Sequence, residues 1–344
     1  MKFTQGVSLK GNNTLASDVK AAYFVSISRE VDLLRALKER PLALPCLVMG
    51  GGSNIVLTSD FDGVVLHNAI QGIELIREDE RYVWVRSAGG VEWHALVQWA
   101  IRRGFSGVEN LSLIPGTVGA APIQNIGAYG VELCDVFVSL EAIEIATGRR
   151  ISRDVDMCEF AYRHSVFKTE EYAGKWIIVS VTLKLQKTPR YVTGYGEIEA
   201  ELAARKEELT PQLMSDVIVS IRQRKLPDPS VLPNCGSFFK NPIVDKFELA
   251  KIKGTLPGVI NYPLDDGRYK LAAGWIIDQL GWKGREFEGA KVHDKQALVL
   301  INQGGGGKAV VNLSRKINED VFAMLGIYLE PEPQFVGRKT TVLL

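Results

Sequence analysis

The sequence has few residues that commonly bind metals, and those residues are scattered. Its 344 residues include four cysteines and four histidines: Cys46, Cys134, Cys158, Cys235, His67, His94, His164 and His293. No two cysteines have C-x-x-C spacing, and no histidine lies at ligand spacing from another histidine or a cysteine. We therefore expect no bound metal, and four scattered thiols suit a reducing compartment.

The sequence also lacks an excess of charge and a long apolar run. At pH 7, 41 Lys and Arg balance 40 Asp and Glu to a net charge of +1, so no overall field attracts nucleic acid or an anionic membrane. Any anion site must be local. Apolar runs such as 271–277 fall short of the roughly 20 residues that a membrane span needs. No apolar segment follows the first five residues, so we expect no secretory signal and a cytoplasmic protein.

The length predicts roughly two to three domains, with strands and helices interleaved. Apolar and β-branched runs predict strands at 44–49, 82–86 and 176–185, and β-compatible segments at 334–336 and 340–344. Helices are predicted at 92–103 and from Pro211, where Thr210 is the expected N-cap. This second helix must end before Pro227, and we expect Arg222, Arg224 and Lys225 to complement its dipole.

Two glycine-rich loops suggest a ligand. Residues 50–54 (GGGSN) lack the third glycine and the helix of a dinucleotide fingerprint, which excludes a Rossmann site. The pattern of strand, turn and strand favours a plain hairpin, with a pyrophosphate nest as the alternative. Residues 113–130 carry four glycines and almost no charge, which suits a flat neutral ring or, equally, a tightly packed interdomain connection. The glycines at 304–307 fail the P-loop pattern and predict a mobile surface turn.

Candidate catalytic groups are ambiguous when taken singly. Ser237 follows a glycine, but Phe239 occupies the position of the second glycine in a hydrolase elbow. Ser237 is instead a possible proton donor if a cation such as Lys225 or Lys240 polarises it. Arg163, in an aromatic segment, suits carboxylate recognition or a surface salt bridge. Glu332 belongs to an extended, proline-stiffened segment where most glutamates are simply solvated.

Together these segments resemble the UDP-N-acetylenolpyruvylglucosamine reductase family over nearly the whole chain. The motifs occur in the family's order: Asn13-Thr14, GGGSN (50–54), IPGTVG (114–119), PIQNIGAYG (122–130), YR (162–163), KLPDP (225–229), GSFFKNP (236–242), KLAAGW (270–275) and LEPE (329–332). The segment TGYGE (193–197) resembles the tyrosine loop of the first subtype. Several long motifs in order are specific, whereas one glycine loop alone is not.

The resemblance implies an α+β protein with a two-part FAD-binding fold of the vanillyl-alcohol oxidase (p-cresol methylhydroxylase) type and a separate α+β substrate domain. The implied division is a first FAD-binding subdomain at 1–72 joined by 329–344, a second at 73–218, and a substrate domain at 219–328. We also expect a monomer. The implied cofactor is FAD, and the implied partners are NADPH and UDP-N-acetylglucosamine enolpyruvate.

The resemblance also implies roles for individual residues. Hydride passes from flavin N5 to C3 of the enolpyruvyl group, Ser237 protonates C2, and Arg163 with Glu332 stabilises the charge between these steps. Glu332 helps only if it is protonated or hydrogen-bonded, so we expect a raised pKa. The implied cofactor contacts are Gly50, Gly51, Gly52, Ser53, Asn54, Ile114, Pro115, Gly116, Gly119, Ala120, Ile123, Gly127 and Tyr129. The implied substrate contacts are Tyr162, Tyr195, Lys225, Asn241, Tyr262 and Gln296.

This sequence departs from the family pattern at three places. Leu15 replaces a common Phe, Cys235 replaces the usual Ala, and Pro333-Gln334 replaces the usual Val-Arg after Glu332. The last change removes one cation that the family places near the flavin. Two alternatives remain: another FAD-dependent oxidase of the same fold, and a non-catalytic protein that binds nucleotide sugars.

Overall fold

The computed structural model describes residues 2–339 and 341–342. The helices are α1 (Glu30–Glu39), α2 (Trp93–Ile101), α3 (Ile198–Arg205), α4 (Pro211–Lys225), α5 (Lys246–Thr255), α6 (Ala273–Gln279) and α7 (Gly306–Leu325). The strands are β1 (Thr4–Ser8), β2 (Lys20–Ile27), β3 (Cys46–Met49), β4 (Ile55–Leu57), β5 (Phe61–Asn68), β6 (Ile73–Glu78), β7 (Tyr82–Ala88), β8 (Gly127–Ala128), β9 (Val131–Glu132), β10 (Phe137–Glu144), β11 (Arg150–Asp154), β12 (Trp176–Gln186), β13 (Asn234–Ser237), β14 (Ile243–Val244), β15 (Asn261–Pro263), β16 (Tyr269–Leu271), β17 (Glu286–Phe287), β18 (Ala290–Val292), β19 (Val299–Asn302), β20 (Gln334–Val336) and β21 (Thr341–Val342).

The chain forms two compact units, each built from separate segments. The first unit comprises residues 1–7, 21–52 and 62–224, and the second comprises 8–20, 53–61 and 225–344. The division at 72 and 218 into three domains remains a prediction. Among the described residues, no helix combines the length and the apolar character needed to cross a membrane.

A five-stranded antiparallel sheet is the largest in the first unit, with the order β11-β10-β12-β7-β6. The β-branched run that predicts β12 explains its central place, because side chains on both of its faces are buried. A second sheet has the order β1-β2-β5-β3. The predicted strands at 44–49, 82–86 and 176–185 are confirmed as β3, β7 and β12.

Helix α4 forms a smaller apolar cluster in the first unit. Thr210 caps it as predicted, because the Leu213 amide donates to Thr210 Oγ1 at 3.1 Å. Its apolar face packs with Ile198 and the rings of Tyr129 and Tyr191. The helix ends at Lys225, two residues before Pro227.

The second unit contains three small sheets, with the orders β13-β19-β18-β17, β14-β16-β15 and β21-β20-β4, and helix α7 packs against β4, β17, β18 and β19. One face of this 20-residue helix is buried from Val310 to Leu325, and Gly326 ends it at a φ of +71°. The predicted strand at 334–336 is confirmed as β20, and it pairs in parallel with β4, an early strand. Residues 340, 343 and 344 of the predicted strand 340–344 lie outside the described residues.

Two predictions for glycine segments are wrong. The loop 50–54 joins no hairpin, because β3 pairs in parallel with β5 while β4 pairs in parallel with β20. The segment 304–307 is no mobile surface turn, because Gly306 begins α7 and the Gly304 and Gly306 amides both donate to Asn302 Oδ1. Both predictions considered only neighbouring residues, and they did not include pairing with segments that are distant in sequence.

Gly307 shows why glycine is needed at the start of α7. A Cβ at this position would lie 2.2 Å from the carbonyl oxygen of Leu57 in β4. A backbone oxygen cannot move aside as the end of a flexible side chain can. Glycine therefore allows the helix to begin directly against the strand.

We expect Gly307→Ala to lower the free energy of unfolding by about 1–3 kcal/mol, as overpacking does in a core. The matched control is Gly254→Ala in α5, where a Cβ meets nothing within 4 Å. There the substitution should raise the free energy of unfolding by about 0.5–1 kcal/mol, because alanine suits a helix better. Denaturant unfolding of both variants checks this, and equal effects would contradict the packing argument.

Candidate active site

The two glycine-rich loops of the first unit pack against each other. A Cβ at Gly50 would lie 2.2 Å from Thr117 Oγ1, and one at Gly51 would lie 3.4 Å from the Gly116 Cα. Gly52 and Gly116 have φ values of +61° and +108°, which favour glycine. The glycines therefore let the loops approach closely, with the Thr117 side chain against Gly50. Backbone that carries no side chain admits a ligand close to its amides.

Exposed small and apolar residues border this surface. Pro115 and Ala120 are exposed, and Ile123 exposes 38% of its area. Gly119 is buried, and a Cβ there would lie 2.7 Å from the Ile178 carbonyl oxygen, which keeps the loop against β12. Apolar walls beside free backbone suit a flat ring, so these residues fit the flavin of FAD.

Asn110 connects the second glycine loop to the tyrosine loop. Its buried side-chain amide donates to the carbonyl oxygens of Tyr129 at 2.8 Å and Val192 at 2.9 Å. The rings of Tyr129 and Tyr195 then meet edge to face, with centroids 6.1 Å apart. The predicted substrate residue Tyr195 therefore lies beside the predicted cofactor residue Tyr129.

Tyr162 and Arg163 lie in a tight turn and not in a strand. The backbones of Ala161 and His164 bond to each other across the turn, and Arg163 has a left-handed φ of +54°. For a non-glycine residue this backbone conformation costs about 1–2 kcal/mol of free energy. Such strain persists only where neighbouring contacts hold it.

Arg163 is held from both sides. Its Nη2 donates to the Gly127 carbonyl oxygen at 2.7 Å, and its own carbonyl oxygen accepts from Lys168 Nζ at 3.1 Å. Nearby, the buried Asn125 amide donates to Glu132 at 2.8 Å and to the Ala161 carbonyl oxygen at 3.3 Å. The turn and the second glycine loop therefore form one hydrogen-bonded network that orients the guanidinium.

Arg222 interacts with Arg163 and Tyr129, although the sequence suggested only that it complements the helix dipole together with Arg224 and Lys225. Its Nε is fully buried and has no hydrogen-bond partner among the described residues. Burial lowers the pKa of the guanidinium; nearby Tyr129 opposes this shift and Arg163 adds to it. Arg224 behaves as predicted, since it is exposed and pairs with Glu197 and Glu201.

In the second unit, a β-bulge positions Ser237. Strand β13 places Asn234 opposite Ile301 and Ser237 opposite Val299, so one extra residue is accommodated on β13. Gly236 absorbs it at a φ of +75°, and its amide donates to Asn234 Oδ1 at 2.8 Å. Bulges change the direction of the following side chain, and here that side chain is the predicted proton donor.

The segment that carries Glu332 runs beside Ser237. The Glu332 amide donates to the Phe238 carbonyl oxygen at 2.8 Å, and the Lys240 amide donates to the Glu330 carbonyl oxygen at 2.9 Å. Lys240 Nζ also contacts the Glu330 carboxylate at 2.5 Å. Lys240 thus forms an ion pair with an exposed carboxylate.

Cys235, the family departure beside Ser237, is a buried neutral thiol. Burial raises its pKa to about 12, and the negative charge of Glu332 adds to this shift. Burial raises the pKa of Cys158 to about 12 as well. At neutral pH neither thiol is a nucleophile or an acid of useful strength.

The predicted substrate residues of the second unit occupy several elements. Asn241 Oδ1 accepts from the Ala273 amide at 3.0 Å at the start of α6, and Gln296 Oε1 accepts from the Leu298 amide at 3.3 Å. Tyr262 in β15 exposes 51% of its area, and Lys225 ends α4.

The predicted site residues divide between the two units. The first unit holds Gly50, Gly51, Gly52, Ile114, Pro115, Gly116, Gly119, Ala120, Ile123, Gly127, Tyr129, Tyr162, Arg163 and Tyr195, and the second holds Ser53, Asn54, Lys225, Ser237, Asn241, Tyr262, Gln296 and Glu332. Within the described part of the chain, no three His, Cys, Asp or Glu residues cluster as metal ligands do.

Sequence reasoning missed three residues that the structure brings to the predicted site. Asn110 and Asn125 look like ordinary polar residues in their loops, and their bonds to distant carbonyl groups leave no sequence signal. Arg222, in contrast, has a recognisable signal in the sequence. It follows Ile218 by four residues and Ile221 by one, which places it at the border of the buried stripe of α4.

Comparison with known families divides the chain much as its motifs do. The family described as "FAD binding domain" matches residues 21–152, and the family described as "UDP-N-acetylenolpyruvoylglucosamine reductase, C-terminal domain" matches residues 228–336. The chain also resembles the crystal structure of UDP-N-acetylenolpyruvylglucosamine reductase from Thermus caldophilus, with a TM-score of 0.68 at 24% identity, over 97% of this chain and 99% of that one. The predicted fold class is confirmed.

Curated relatives are similar over almost their full length. UDP-N-acetylenolpyruvoylglucosamine reductase of Paraburkholderia xenovorans (strain LB400) is 48% identical over 336 residues, which cover 96% of this chain and 97% of the relative. The protein of the same name from Burkholderia cenocepacia (strain HI2424) is 49% identical over 332 residues, 94% of each chain.

Because Cys235 is a buried neutral thiol, we expect Cys235→Ala to keep turnover within about twofold, a change of less than 0.5 kcal/mol in activation energy. In the native protein at pH 8, burial keeps the Cys235 thiol protonated, so it should resist Ellman's reagent. Reactive thiols are counted in the wild type and the variant, each folded and in urea. The difference between the two proteins gives the reactivity of Cys235. Rapid native labelling of Cys235, or a large loss of turnover, would contradict its assignment as a bystander.

Proposed function

Because the chain belongs to the UDP-N-acetylenolpyruvoylglucosamine reductase family and is a FAD-dependent oxidoreductase, we propose that it reduces UDP-N-acetylglucosamine enolpyruvate to UDP-N-acetylmuramate with NADPH. This reaction supplies a precursor of peptidoglycan. The observation that most supports the assignment within this chain is Ser237, aimed by a bulge and flanked by the Glu332 segment. We further propose a cytoplasmic monomer that acts without nucleic acid or a membrane.

The two glycine-rich loops are proposed to hold FAD. Backbone amides of Gly50, Gly51 and Gly52, followed by Ser53 and Asn54, would bind the diphosphate, because a loop without side chains allows close approach. Residues of the second loop, from Ile114 to Tyr129, would contact the ring. Bound FAD supplies hydride transfer, from NADPH and then to C3 of the enolpyruvyl group.

Arg163 is proposed to stabilise the negative charge that develops at C2 and in the adjacent carboxylate. Its strained backbone and its bond to Gly127 support this role, because both fix the guanidinium before substrate arrives. A fixed cation stabilises a developing charge without paying reorganisation energy during the reaction. The strain is then the cost of that preorganisation.

Ser237 is proposed to donate its hydroxyl proton to C2. A serine hydroxyl is a weak acid and needs a nearby cation, for which Lys225 and Lys240 are the two candidates; Lys240 pairs with Glu330. Glu332 assists in the protonated or hydrogen-bonded form, since a bare carboxylate would repel the developing charge. Its backbone bond to Phe238 holds it beside the serine segment.

The remaining substrate contacts are proposed as polar groups around the sugar nucleotide. Tyr195 and Lys225 would contact the diphosphate, and Tyr162, Tyr262 and Gln296 would contact other parts of the substrate. Asn241 uses its Oδ1 to anchor Ala273, so its Nδ2 group is the donor that a substrate oxygen would meet.

We expect Ser237→Ala to retain FAD and its reduction by NADPH while losing about 10²–10⁴ in turnover, the usual contribution of a positioned proton donor. The two half-reactions can be followed separately in an anaerobic stopped-flow spectrometer. Only reoxidation by the enolpyruvyl sugar nucleotide should slow.

The matched control is Ser230→Ala, which removes an exposed hydroxyl bound to Asp228. Both half-reactions should stay at the wild-type rate in this variant. Unchanged reoxidation in Ser237→Ala would exclude Ser237 as the proton donor, and equal slowing of both halves would indicate a structural effect.

A further inference from the structure

His94, the second residue of helix α2, bonds to a residue whose backbone is strained. Its Nδ1 accepts the amide of Leu113 at 2.9 Å, and Leu113 has a left-handed φ of +58°. This conformation is unfavourable for a residue that carries a branched side chain. Such strain persists only where neighbouring contacts hold it, and the bond to His94 is one of those contacts.

The start of α2 binds the chain on both sides of Leu113. Trp93 Nε1 donates to the Leu111 carbonyl oxygen at 2.9 Å, and the Trp93 amide donates to the Gly116 carbonyl oxygen at 2.9 Å. Neither bond involves a group that titrates near neutral pH. His94 supplies a third bond, at the strained residue itself. Because Leu113 begins the second glycine loop, the path of that loop away from α2 depends on an imidazole.

The bond also fixes the protonation state of His94. An amide N–H can only donate, so Nδ1 must accept, and the ring is neutral with its proton on Nε2. A proton on Nδ1 would face the Leu113 N–H and break the bond. Burial lowers the pKa of His94; Glu92, the N-cap of α2, opposes this shift and Arg222 of α4 adds to it. The folded protein therefore favours the ring that accepts.

We propose that His94 is a positioning residue for the second glycine loop, and that its bond to Leu113 keeps this loop in the form that binds FAD. The inference rests on the proposed assignment of residues 114–129 to the flavin ring. His94 acts through Leu113. Without the bond, Leu113 leaves its strained conformation, and FAD has to restore that conformation when it binds. Part of the binding free energy is then used for this change, so the affinity for FAD falls.

The dependence on pH has a definite sign. Histidine has an ordinary pKa of 6.5, and the bond to Leu113 forms only when Nδ1 carries no proton. Well above this pH the ring is neutral with or without FAD, so His94 contributes no pH dependence. Below it, a ring that has left Leu113 must lose a proton before the loop can bind FAD. The affinity should then fall by at most about tenfold per pH unit, as release of one proton requires.

The test measures FAD dissociation constants of full-length wild type, His94→Leu and His94→Asn at pH 8 and pH 5.5. Dilution of the FAD-loaded proteins releases the flavin, and its fluorescence reports the free fraction. Asparagine places Oδ1 where Nδ1 of histidine lies, so it accepts the same bond but does not titrate. At pH 8 we expect roughly tenfold weaker binding in His94→Leu, and a value within about threefold of the wild type in His94→Asn.

At pH 5.5 the wild type should bind FAD several-fold more weakly than at pH 8, whereas His94→Asn should change less. The matched control is His67→Asn. His67 in β5 is also half-buried, burial lowers its pKa, and its ring contacts Ser26 and Phe24 of β2. This variant should keep the wild-type affinity at pH 8 and the wild-type loss at pH 5.5.

The outcomes are distinct. A parallel loss of affinity with pH in wild type and His94→Asn would overturn the proposal, and so would wild-type affinity in His94→Leu at pH 8. Equal weakening in both His94 variants at pH 8 would also overturn it, because the accepting atom would then have no effect. If His94→Leu fails to fold, the pH profiles of wild type and His94→Asn decide. The proposed reductase function fails separately, if NADPH reduces the wild-type flavin and the sugar nucleotide does not reoxidise it.

Discussion

Close approach of neighbouring groups to glycine backbone is the constraint on which the structure depends. At Gly50 and Gly119 in the first unit, and at Gly307 in the second, an added Cβ would lie 2.2–2.7 Å from a neighbouring oxygen. Two of these contacts shape the surface between the glycine loops, and the third begins helix α7 against β4. Close contacts at glycine therefore position the proposed cofactor surface in the first unit and allow α7 to pack against β4 in the second.

Buried and strained charges are concentrated beside that surface. Arg163 adopts a left-handed backbone, and Arg222 has a buried Nε without a partner. Each feature costs stability. Arg163 bonds to Gly127, and the charge of Arg222 interacts with Tyr129 and Arg163. Sites that stabilise a developing negative charge typically hold a cation in position before the substrate binds. The strain or burial that holds the cation lowers the stability of the fold.

The sequence was informative where its signals were long or local. The ordered motifs identified the family and the fold, β-branched runs predicted β3, β7 and β12, and Thr210 and Pro227 bracketed helix α4. Predictions from the sequence were wrong where the structure of a segment depends on pairing with a segment far away in the chain. Residues 50–54 look like a hairpin, because nothing near them shows that β4 pairs with β20, about 280 residues later.

The candidate site was likewise predictable where its motifs are local and not where it depends on distant partners. Motif residues such as Ser237 and Arg163 could be named, but the bulge at Gly236 and the turn at Arg163 could not, because both depend on register and on cross-strand partners. Arg222 was misjudged because the helix dipole offered a sufficient local reason for its charge. Its burial follows from the packing of α4, which charge patterning alone does not reveal.

The most direct test is an anaerobic visible titration of the purified, FAD-loaded protein, first with NADPH and then with UDP-N-acetylglucosamine enolpyruvate. NADPH should bleach the oxidised flavin band, and the sugar nucleotide should restore it. A band that returns only when O₂ is admitted would contradict the account and favour an oxidase. A protein that binds the nucleotide sugar but no FAD would contradict it as well, and would leave a non-catalytic binding protein.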